Sequence, residues 1–129
     1  MVLDKLLIQK AKKVRRRAYA PYSGIKIGVA ISTKSSKIFT GCNVENASFG
    51  LTICAERVAV AKGVSEGNCD FEHLVIVSDD FAYPCGACRQ VLNEFVDDVR
   101  ITLVNKKGET IETTLKKLLP FPFYISHSS

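Results

Sequence analysis

The chain has 129 residues, of which 47% are hydrophobic, and its formal net charge is +5. That length is enough for one self-supporting core, so we expect a single domain over residues 1–129. No apolar run approaches the ~18 residues of a membrane span, and the first residues lack the architecture of a signal peptide. The sequence therefore predicts a cytoplasmic protein with no membrane partner.

The positive charge is concentrated in the first predicted helix. Residues 1–17 have a net charge of +6, and the rest of the chain has a net charge of −1. Apolar residues recur in this helix at the 3.6-residue spacing of one face, so most of the charges lie on the opposite face. The apolar positions are Leu3, Leu6, Leu7, Ala11, Val14 and Ala18. A solvated outer face explains the charges better than a nucleic-acid footprint, and we expect no nucleic acid as a partner.

Two strands are predicted after the Pro- and Gly-containing break at residues 20–24. Apolar residues alternate with others over residues 25–32, which is the period of a strand with one buried face. A polar turn at residues 34–37 leads into a second strand, residues 38–43. We expect the two strands to pair as an antiparallel hairpin.

The next helix is predicted from about Thr52 to Gly63, where the glycine provides a C-terminal stop. This helix is apolar nearly all round, so we expect it to be buried against a sheet and against neighbouring subunits. The continuous apolar run at residues 73–78 is typical of a strand at the centre of a sheet. A third helix is expected over about residues 85–95.

The last part of the chain predicts two more strands and a short helix. Residues 101–104 and 110–113 flank a turn that ends in Gly108, so they should form a hairpin and bring the sheet to five strands. The short helix spans residues 115–119, and residues 126–129 are expected to be frayed.

Three of the five cysteines stand at the starts of predicted helices. Cys85 and Cys88 lie three apart on one face of a first turn, where their sulfurs can bind one metal ion. Pro84 is favoured at such a helix start. Cys54 is the obvious third ligand, with Thr52 as a plausible cap, because a helix N-terminus stabilises the ligating thiolate.

The remaining cysteines, Cys42 and Cys69, are expected to be inert packing residues. An odd number of cysteines in a chain without an export signal argues against a disulfide framework and for a reducing compartment.

Three protein ligands leave one tetrahedral position open, which is typical of a catalytic zinc site. A structural site is the alternative, but it needs a fourth ligand, and neither His73 in a strand nor His127 in the tail is well placed. Glu56 lies two residues from Cys54 in an apolar helix, where an unpartnered carboxylate is costly to bury. We therefore predict that Glu56 transfers protons beside a zinc-activated water, rather than only complementing the helix dipole.

The chain resembles the small homotetrameric cytidine deaminases. The resemblance is carried by Cys54-Ala55-Glu56-Arg57 and Pro84-Cys85-Gly86-Ala87-Cys88-Arg89-Gln90, which fit the signature of zinc nucleobase deaminases. It extends over nearly the whole chain. Further matching stretches are Ala20-Pro21-Tyr22-Ser23, Gly28-Val29-Ala30, Gly41-Cys42-Asn43-Val44-Glu45-Asn46-Ala47 and Leu118-Leu119-Pro120.

The resemblance implies an α/β fold, a three-layer αβα sandwich with a mixed five-stranded sheet. It implies one Zn²⁺ per chain, bound by Cys54, Cys85 and Cys88, with Glu56 as the catalytic residue. The implied reaction is hydrolysis of cytidine and 2′-deoxycytidine to the corresponding uridines and ammonia, in a homotetramer with shared active sites.

Other roles are also implied by the resemblance. Arg57 hydrogen-bonds the zinc thiolates, whereas Arg89 is expected at the surface or an interface. Asn43 and Glu45 bind the ribose hydroxyl, although both residue types also form turns. The backbone around Ala55 and Cys85 orients the edge of the base.

Aromatic residues are implied to complete the pocket across subunits. Phe123 of one chain would stack on the pyrimidine bound by another, with Phe121 as the alternative, and Ala47 and Phe49 would also contribute. Two residues depart from the family pattern. Ile25 replaces a phenylalanine and cannot stack as a ring, and Phe49 replaces a tyrosine that many members have, which removes a hydroxyl near the 5′ end of the nucleoside.

Two alternatives stay open. A deaminase of a modified cytosine nucleoside, of the blasticidin-S type, shares the zinc motifs, although Tyr22-Ser23 and residues 43–46 fit cytidine deaminases better. A nucleic-acid-binding zinc module that uses the basic first helix would bind RNA in a salt-dependent way without turning over a nucleoside.

Overall fold

The computed structural model describes residues 2–125. The helices are α1 (Val2–Arg15), α2 (Ala55–Ser65), α3 (Gly86–Phe95) and α4 (Leu115–Leu118). The strands are β1 (Gly28–Thr33), β2 (Ile38–Cys42), β3 (Phe71–Val77), β4 (Arg100–Val104) and β5 (Thr110–Thr114). Among these helices, none has the length and apolar character needed to cross a membrane. The frayed end expected at residues 126–129 lies outside the described residues.

The five strands form one mixed sheet in the order β2-β1-β3-β4-β5. β3 and β4 run parallel, and the other three neighbouring pairs are antiparallel. Both predicted hairpins are therefore present. β3 lies at the centre, as predicted from its continuous apolar run, because a central strand covered on both faces has no side that favours polar residues.

Helices cover both faces of this sheet. α1 packs on one face through an apolar cluster that consists of Leu7, Ala11, Ala30, Val75, Val77 and Val104. On the other face, α2, α3 and α4 contribute Ala59, Leu92 and Leu115 to a larger core. The three-layer αβα sandwich is thus confirmed. Leu6 was expected on the apolar face of α1. Its side chain is instead 38% exposed and does not belong to the buried face of the helix.

The first strand differs from its prediction. It begins at Gly28 rather than Ile25, and all six of its residues are buried. Because helices lie on both sides, the alternation separates one core from the other: Val29 and Ile31 join the larger core, while Ala30 faces α1. Ile25 precedes the strand and is 60% exposed.

The boundaries of α2 also differ from the prediction. The helix begins at Ala55 with Cys54 as its N-cap, so the predicted start at Thr52 was too early. It continues through Gly63 to Ser65. Gly63 is not a stop but a contact site, since a Cβ there would lie 2.8 Å from the ring of Phe71. The glycine lets α2 approach the sheet at this position.

Candidate active site

The three cysteines predicted as metal ligands lie together at the N-termini of α2 and α3. The Sγ atoms of Cys54 and Cys85 are 3.9 Å apart, and those of Cys85 and Cys88 are 3.4 Å apart. All three sulfur atoms lie within 4.8 Å of one another. Tetrahedral zinc with Zn–S bonds of about 2.3 Å places its sulfur ligands roughly 3.8 Å apart. The cluster therefore fits a zinc ion with little adjustment.

Cys54 is positioned by the chain that precedes α2. Val44 and Ile53 exchange two backbone hydrogen bonds, each of 2.9 Å, which hold the residue before Cys54 beside the end of β2. Thr52 is not the helix cap that we expected. Its hydroxyl instead accepts a 3.1 Å hydrogen bond from the N–H of Asn46. The second strand and its following loop thus fix the entry into α2.

Cys85 and Cys88 are positioned by the start of α3. Cys85 is the N-cap of this helix, and Pro84 lies one residue before the cap rather than inside the first turn. Cys85 is exposed, whereas Cys88 is buried beneath it. Proline still suits this place because the chain enters the cap in an extended conformation.

The environment of the cysteines favours one thiolate before any metal binds. A hydrogen bond from the Cys88 thiol, assisted by Arg57, lowers the pKa of Cys54 to about 5. The same hydrogen bond and burial raise the pKa of Cys88. Arg57 Nη2 lies 3.8 Å from Cys54 Sγ and donates a 3.1 Å hydrogen bond to the Thr52 carbonyl. Zinc binding would replace the thiol protons, because only deprotonated cysteine binds the ion.

Glu56 is buried in the first turn of α2, with 5% of its surface exposed. Burial is the main cause that raises the pKa of Glu56 to about 7, and the Cys54 thiolate adds to it. Hydrogen bonds from its own backbone and from Cys88 offset only part of this shift. A carboxyl group that titrates near neutrality can both accept and release a proton, as a general acid–base residue requires.

A pocket of about 240 Å³ opens beside the cysteine cluster. Its walls include Cys54, Glu56 and Cys85, together with four residues that we predicted to bind substrate. Those four are Ile25, Asn43, Glu45 and Ala55. Ligand pockets usually have volumes of roughly 300–1,000 Å³, so the pocket formed by one chain is small and open.

Asn43 and Glu45 organise the rim of this pocket through the backbone. The buried side chain of Asn43 accepts a 2.9 Å bond from the N–H of Ile27 and donates a 2.7 Å bond to the Ile25 carbonyl. The carboxylate of Glu45 accepts hydrogen bonds from the N–H groups of Tyr22 and Ser23 and from the Ser23 hydroxyl. These bonds, that of the Ser23 hydroxyl first, lower the pKa of Glu45.

Three predicted substrate residues do not line this pocket. Phe49 is 77% exposed and lies in an adjacent hollow of about 360 Å³, with its ring edge-on to Tyr22 at 6.2 Å. Ala47 is exposed on the same loop. Phe123 is 71% exposed and lines a separate depression beyond α3, where its carbonyl accepts a 2.6 Å bond from Gln90.

Four further residues line the pocket that sequence analysis did not assign to it, namely Ser23, Ile27, Thr52 and Tyr83. The side chain of Tyr83 is 48% exposed, and the residue directly precedes Pro84 of the cysteine motif. An aromatic residue beside a metal motif is a signal that could have identified it. Arg89, which was expected at the surface or an interface, is half-buried in the chain and donates hydrogen bonds to carbonyls of its own chain.

Comparisons with known proteins identify the family of this chain. The sequence model of the family described as "Cytidine and deoxycytidylate deaminase zinc-binding region" matches residues 1–104. The chain is 45% identical over 120 residues to a cytidine deaminase of Sporosarcina psychrophila, which covers 91% of this chain and 88% of that protein. It is 43% identical over 121 residues to a cytidine deaminase of Halalkalibacterium halodurans, with 92% of each chain covered.

The fold is also similar to that of solved structures. A crystal structure of cytidine deaminase from Burkholderia pseudomallei superposes with a TM-score of 0.88 at 42% identity, and covers 92% of this chain and 98% of that one. Three clustered cysteines that can hold a metal ion, beside a buried carboxyl group on an αβα fold, are typical of a zinc-dependent hydrolase. The chain belongs to the cytidine and deoxycytidylate deaminase family.

Proposed function

We propose that the protein hydrolyses cytidine and 2′-deoxycytidine to uridine and 2′-deoxyuridine, with release of ammonia. The observation that carries the proposal is the position of Glu56, buried beside three clustered cysteine sulfurs at the base of an open pocket. Zinc bound by Cys54, Cys85 and Cys88 would supply the Lewis acidity that lets a water molecule lose a proton near neutral pH.

The chain's own residues would handle the protons. Glu56 accepts one proton from the attacking water and delivers it to N3 of the ring; it then accepts the second proton of that water, from the new hydroxyl on C4, and delivers it to the departing amine. A bond forms between C4 and the water oxygen, and the bond between C4 and the exocyclic nitrogen breaks. Water and cytidine thus become uridine and ammonia, and Glu56 returns to its initial state.

The rim residues would bind the sugar. The amide nitrogen of Asn43 uses one hydrogen on the Ile25 carbonyl, which leaves the second for a ribose hydroxyl. The carboxylate of Glu45 has acceptor capacity beyond the bonds from Tyr22 and Ser23. Ile25 would cover the nucleoside with apolar surface, and the backbone at Ala55 and Cys85 would meet the edge of the base.

Arg57 is proposed to stabilise the thiolates. Three thiolates give zinc a net negative site, which disfavours deprotonation of a bound water. The guanidinium beside Cys54 Sγ offsets part of that charge.

Residues 1–129 are proposed to act as one domain, which is supported by the packing of both apolar clusters against the same sheet. A cytoplasmic location is proposed because thiolate ligands need a reducing compartment.

Assembly as a homotetramer is also proposed. A groove of about 400 Å³ between α2 and α3 is almost wholly apolar, and is lined by Arg57, Val60, Ala61, Val64, Ser65, Val91 and Phe95. A second copy of the chain would cover this groove. The small pocket would then be completed by Ala47, Phe49 and Phe123 of neighbouring copies. In analytical ultracentrifugation we expect an assembly of about four times 14.2 kDa. Val64→Asp places a charge in the groove and should therefore lower the mass of the assembly.

One experiment tests the proposed activity. The purified protein is incubated with cytidine, deoxycytidine or blasticidin S, and the ultraviolet change and ammonia release are followed with and without a zinc chelator. We expect turnover of both cytosine nucleosides that the chelator abolishes and added zinc restores. Turnover of blasticidin S alone, or salt-sensitive RNA binding without any turnover, would overturn the proposal in favour of one of the two alternatives.

A further inference from the structure

Arg89 directly follows the buried ligand Cys88 and connects two segments of the chain. Its Nε donates a 2.7 Å hydrogen bond to the carbonyl of Pro84, and its Nη1 donates a 2.8 Å bond to the carbonyl of Leu118. The first carbonyl directly precedes Cys85, and the second belongs to the last residue of α4. The planar guanidinium is suited to hold two acceptors at once, because its donors form a rigid fork.

The bonds of Arg89 fix the backbone on both sides of Cys85. The Pro84 carbonyl lies before the N-cap and is therefore outside the hydrogen-bond ladder of α3. The Arg89 side chain binds this carbonyl, while the backbone N–H of Arg89 binds the Cys85 carbonyl at 3.0 Å. One residue thus holds the two peptide units that flank Cys85. These units determine the φ and ψ angles of Cys85, and hence the direction of its Cα–Cβ bond.

Cys85 needs such support more than the other two cysteines. It is exposed, so packing of its side chain restrains it little, whereas Cys88 is buried and Cys54 is half-buried. A metal ligand whose side chain is not packed depends on its backbone for a fixed position.

The second bond of Arg89 reaches the segment that leads into the tail. The Leu118 carbonyl lies two residues before Pro120, and the next side chain of α3, Gln90, donates a 2.6 Å bond to the Phe123 carbonyl. The N-cap and first half of α3 therefore carry two of the proposed metal ligands and also hold the backbone of the tail at two points.

We propose that Arg89 is a positioning residue that holds Cys85 in its zinc-binding orientation and ties the zinc-binding helix to the C-terminal tail. Its effect on turnover rests on the proposed deaminase function, but its effect on zinc retention does not. Gln90 holds only the tail, so its loss affects nucleoside binding without releasing zinc.

The test compares four variants of the zinc-loaded protein. The rate of zinc transfer to an excess of a coloured chelator is measured without nucleoside, and kcat and KM for cytidine are measured at saturating zinc. Arg89→Met should lose zinc about 10-fold faster than the wild-type protein and should have a lower kcat. Arg89→Lys, which can reach only one carbonyl, should be intermediate. Gln90→Met should raise KM with unchanged zinc retention, and Arg17→Met in the exposed turn after α1 should match the wild type.

Wild-type zinc retention in a folded Arg89→Met protein would overturn the proposal, and so would a loss of thermal stability with no change in zinc retention or kcat. If Arg89→Met fails to fold, the comparison of Arg89→Lys with the wild type decides in the same way. Faster zinc loss in a protein that does not deaminate cytidine would support the role of Arg89 and contradict only the proposed function.

Discussion

Gly41 of β2 lies directly against the backbone of α2: a Cβ atom on Gly41 would be 2.4 Å from the carbonyl oxygen of Ala55. It would also be 2.6 Å from the backbone nitrogen of Ala59. Ala55 stands between Cys54 and Glu56, so the distance between α2 and the sheet sets the positions of both. The absence of a side chain at residue 41 is therefore a condition for the geometry of the site.

Gly41→Ala should lower the free energy of unfolding by about 1–3 kcal/mol, because the added methyl group must push α2 away from β2. The same movement should displace Cys54 and Glu56 and reduce zinc retention and turnover. Chemical denaturation and zinc analysis measure these effects. Gly50→Ala is the stability control, since a Cβ at that position meets open space. A Gly41→Ala protein with wild-type stability would show that α2 can shift without cost.

Glu56→Gln should fold and retain zinc, but lose turnover by about 100-fold or more. The amide has nearly the same size as the carboxyl group but cannot carry a proton, and Glu56 is not counted among the metal ligands. Zinc content and kcat are measured on the same sample. Glu66→Gln at the exposed end of α2 is the control and should be fully active. Substantial activity in Glu56→Gln would exclude this residue as the proton carrier.

Cys85→Ala should lose zinc and activity together, because two thiolate ligands remain where three are needed. Cys69→Ala should retain both, since Cys69 is exposed and belongs to no cluster of metal-binding residues in the described part of the chain. Metal analysis after dialysis against a weak chelator distinguishes the two variants. Full zinc content in Cys85→Ala would mean that the ligands have been assigned wrongly.

The stability of the protein should depend on pH through His73, a buried residue of β3 that lies beside Asp4 of α1. Its Nε2 lies 2.7 Å from the Thr102 hydroxyl, which donates its own hydrogen to Glu112, so His73 carries its proton on Nε2. Burial first, and then the charge of Arg100, lower the pKa of His73, while Asp4 and Glu112 oppose the shift. The folded protein therefore binds the second proton, which would make His73 cationic, less readily than the unfolded chain does.

It follows that the stability due to neutral His73 is present above the unfolded-state pKa of about 6.5 and is lost as the pH falls below it. We expect the thermal midpoint to decrease between pH 7.5 and pH 5.5, and to decrease less in His73→Gln. Calorimetry of both proteins at the two pH values measures the difference. Equal decreases would show that other groups account for the pH dependence.

Phe123→Ala should raise KM for cytidine by about 10-fold with unchanged zinc content, because stacking of an aromatic ring on a base contributes roughly 1–3 kcal/mol. Phe121→Ala should have a much smaller effect. Phe121 is 92% exposed and Phe123 is 71% exposed, so neither substitution should unfold the chain. The opposite order of effects would assign the stacking role to Phe121.

Much of the site could be predicted from the sequence because its chemistry is local. The spacing of Cys85 and Cys88 places both sulfurs on one side of the first turn of a helix. Glu56 follows Cys54 by two residues in the first turn of a different helix. The hairpins and the central strand follow from apolar periodicity and turn residues, which act over a few positions, whereas the αβα layers were implied by the family resemblance. These predictions depend little on what the rest of the chain does.

Other features were decided by tertiary contacts. Alternation over residues 25–31 could not reveal that helices cover both faces of β1, so the predicted exposed face is buried. Gly63 lies inside its helix rather than at the end, and it fits there because the ring of Phe71 occupies the space where a side chain would stand. In both cases the deciding neighbour is distant in sequence or lies on another element.

The amino-acid sequence by itself determined which side chains can bind zinc and carry protons, since these are properties of residue type and of spacing within one helical turn. Only the tertiary structure decided that Tyr83 lines the pocket, that the amide of Asn43 binds the backbone at residues 25–27, and that Arg89 bridges Pro84 and Leu118. The physical reason is that a polar side chain has many possible partners, and packing of the sheet and helices selects among them.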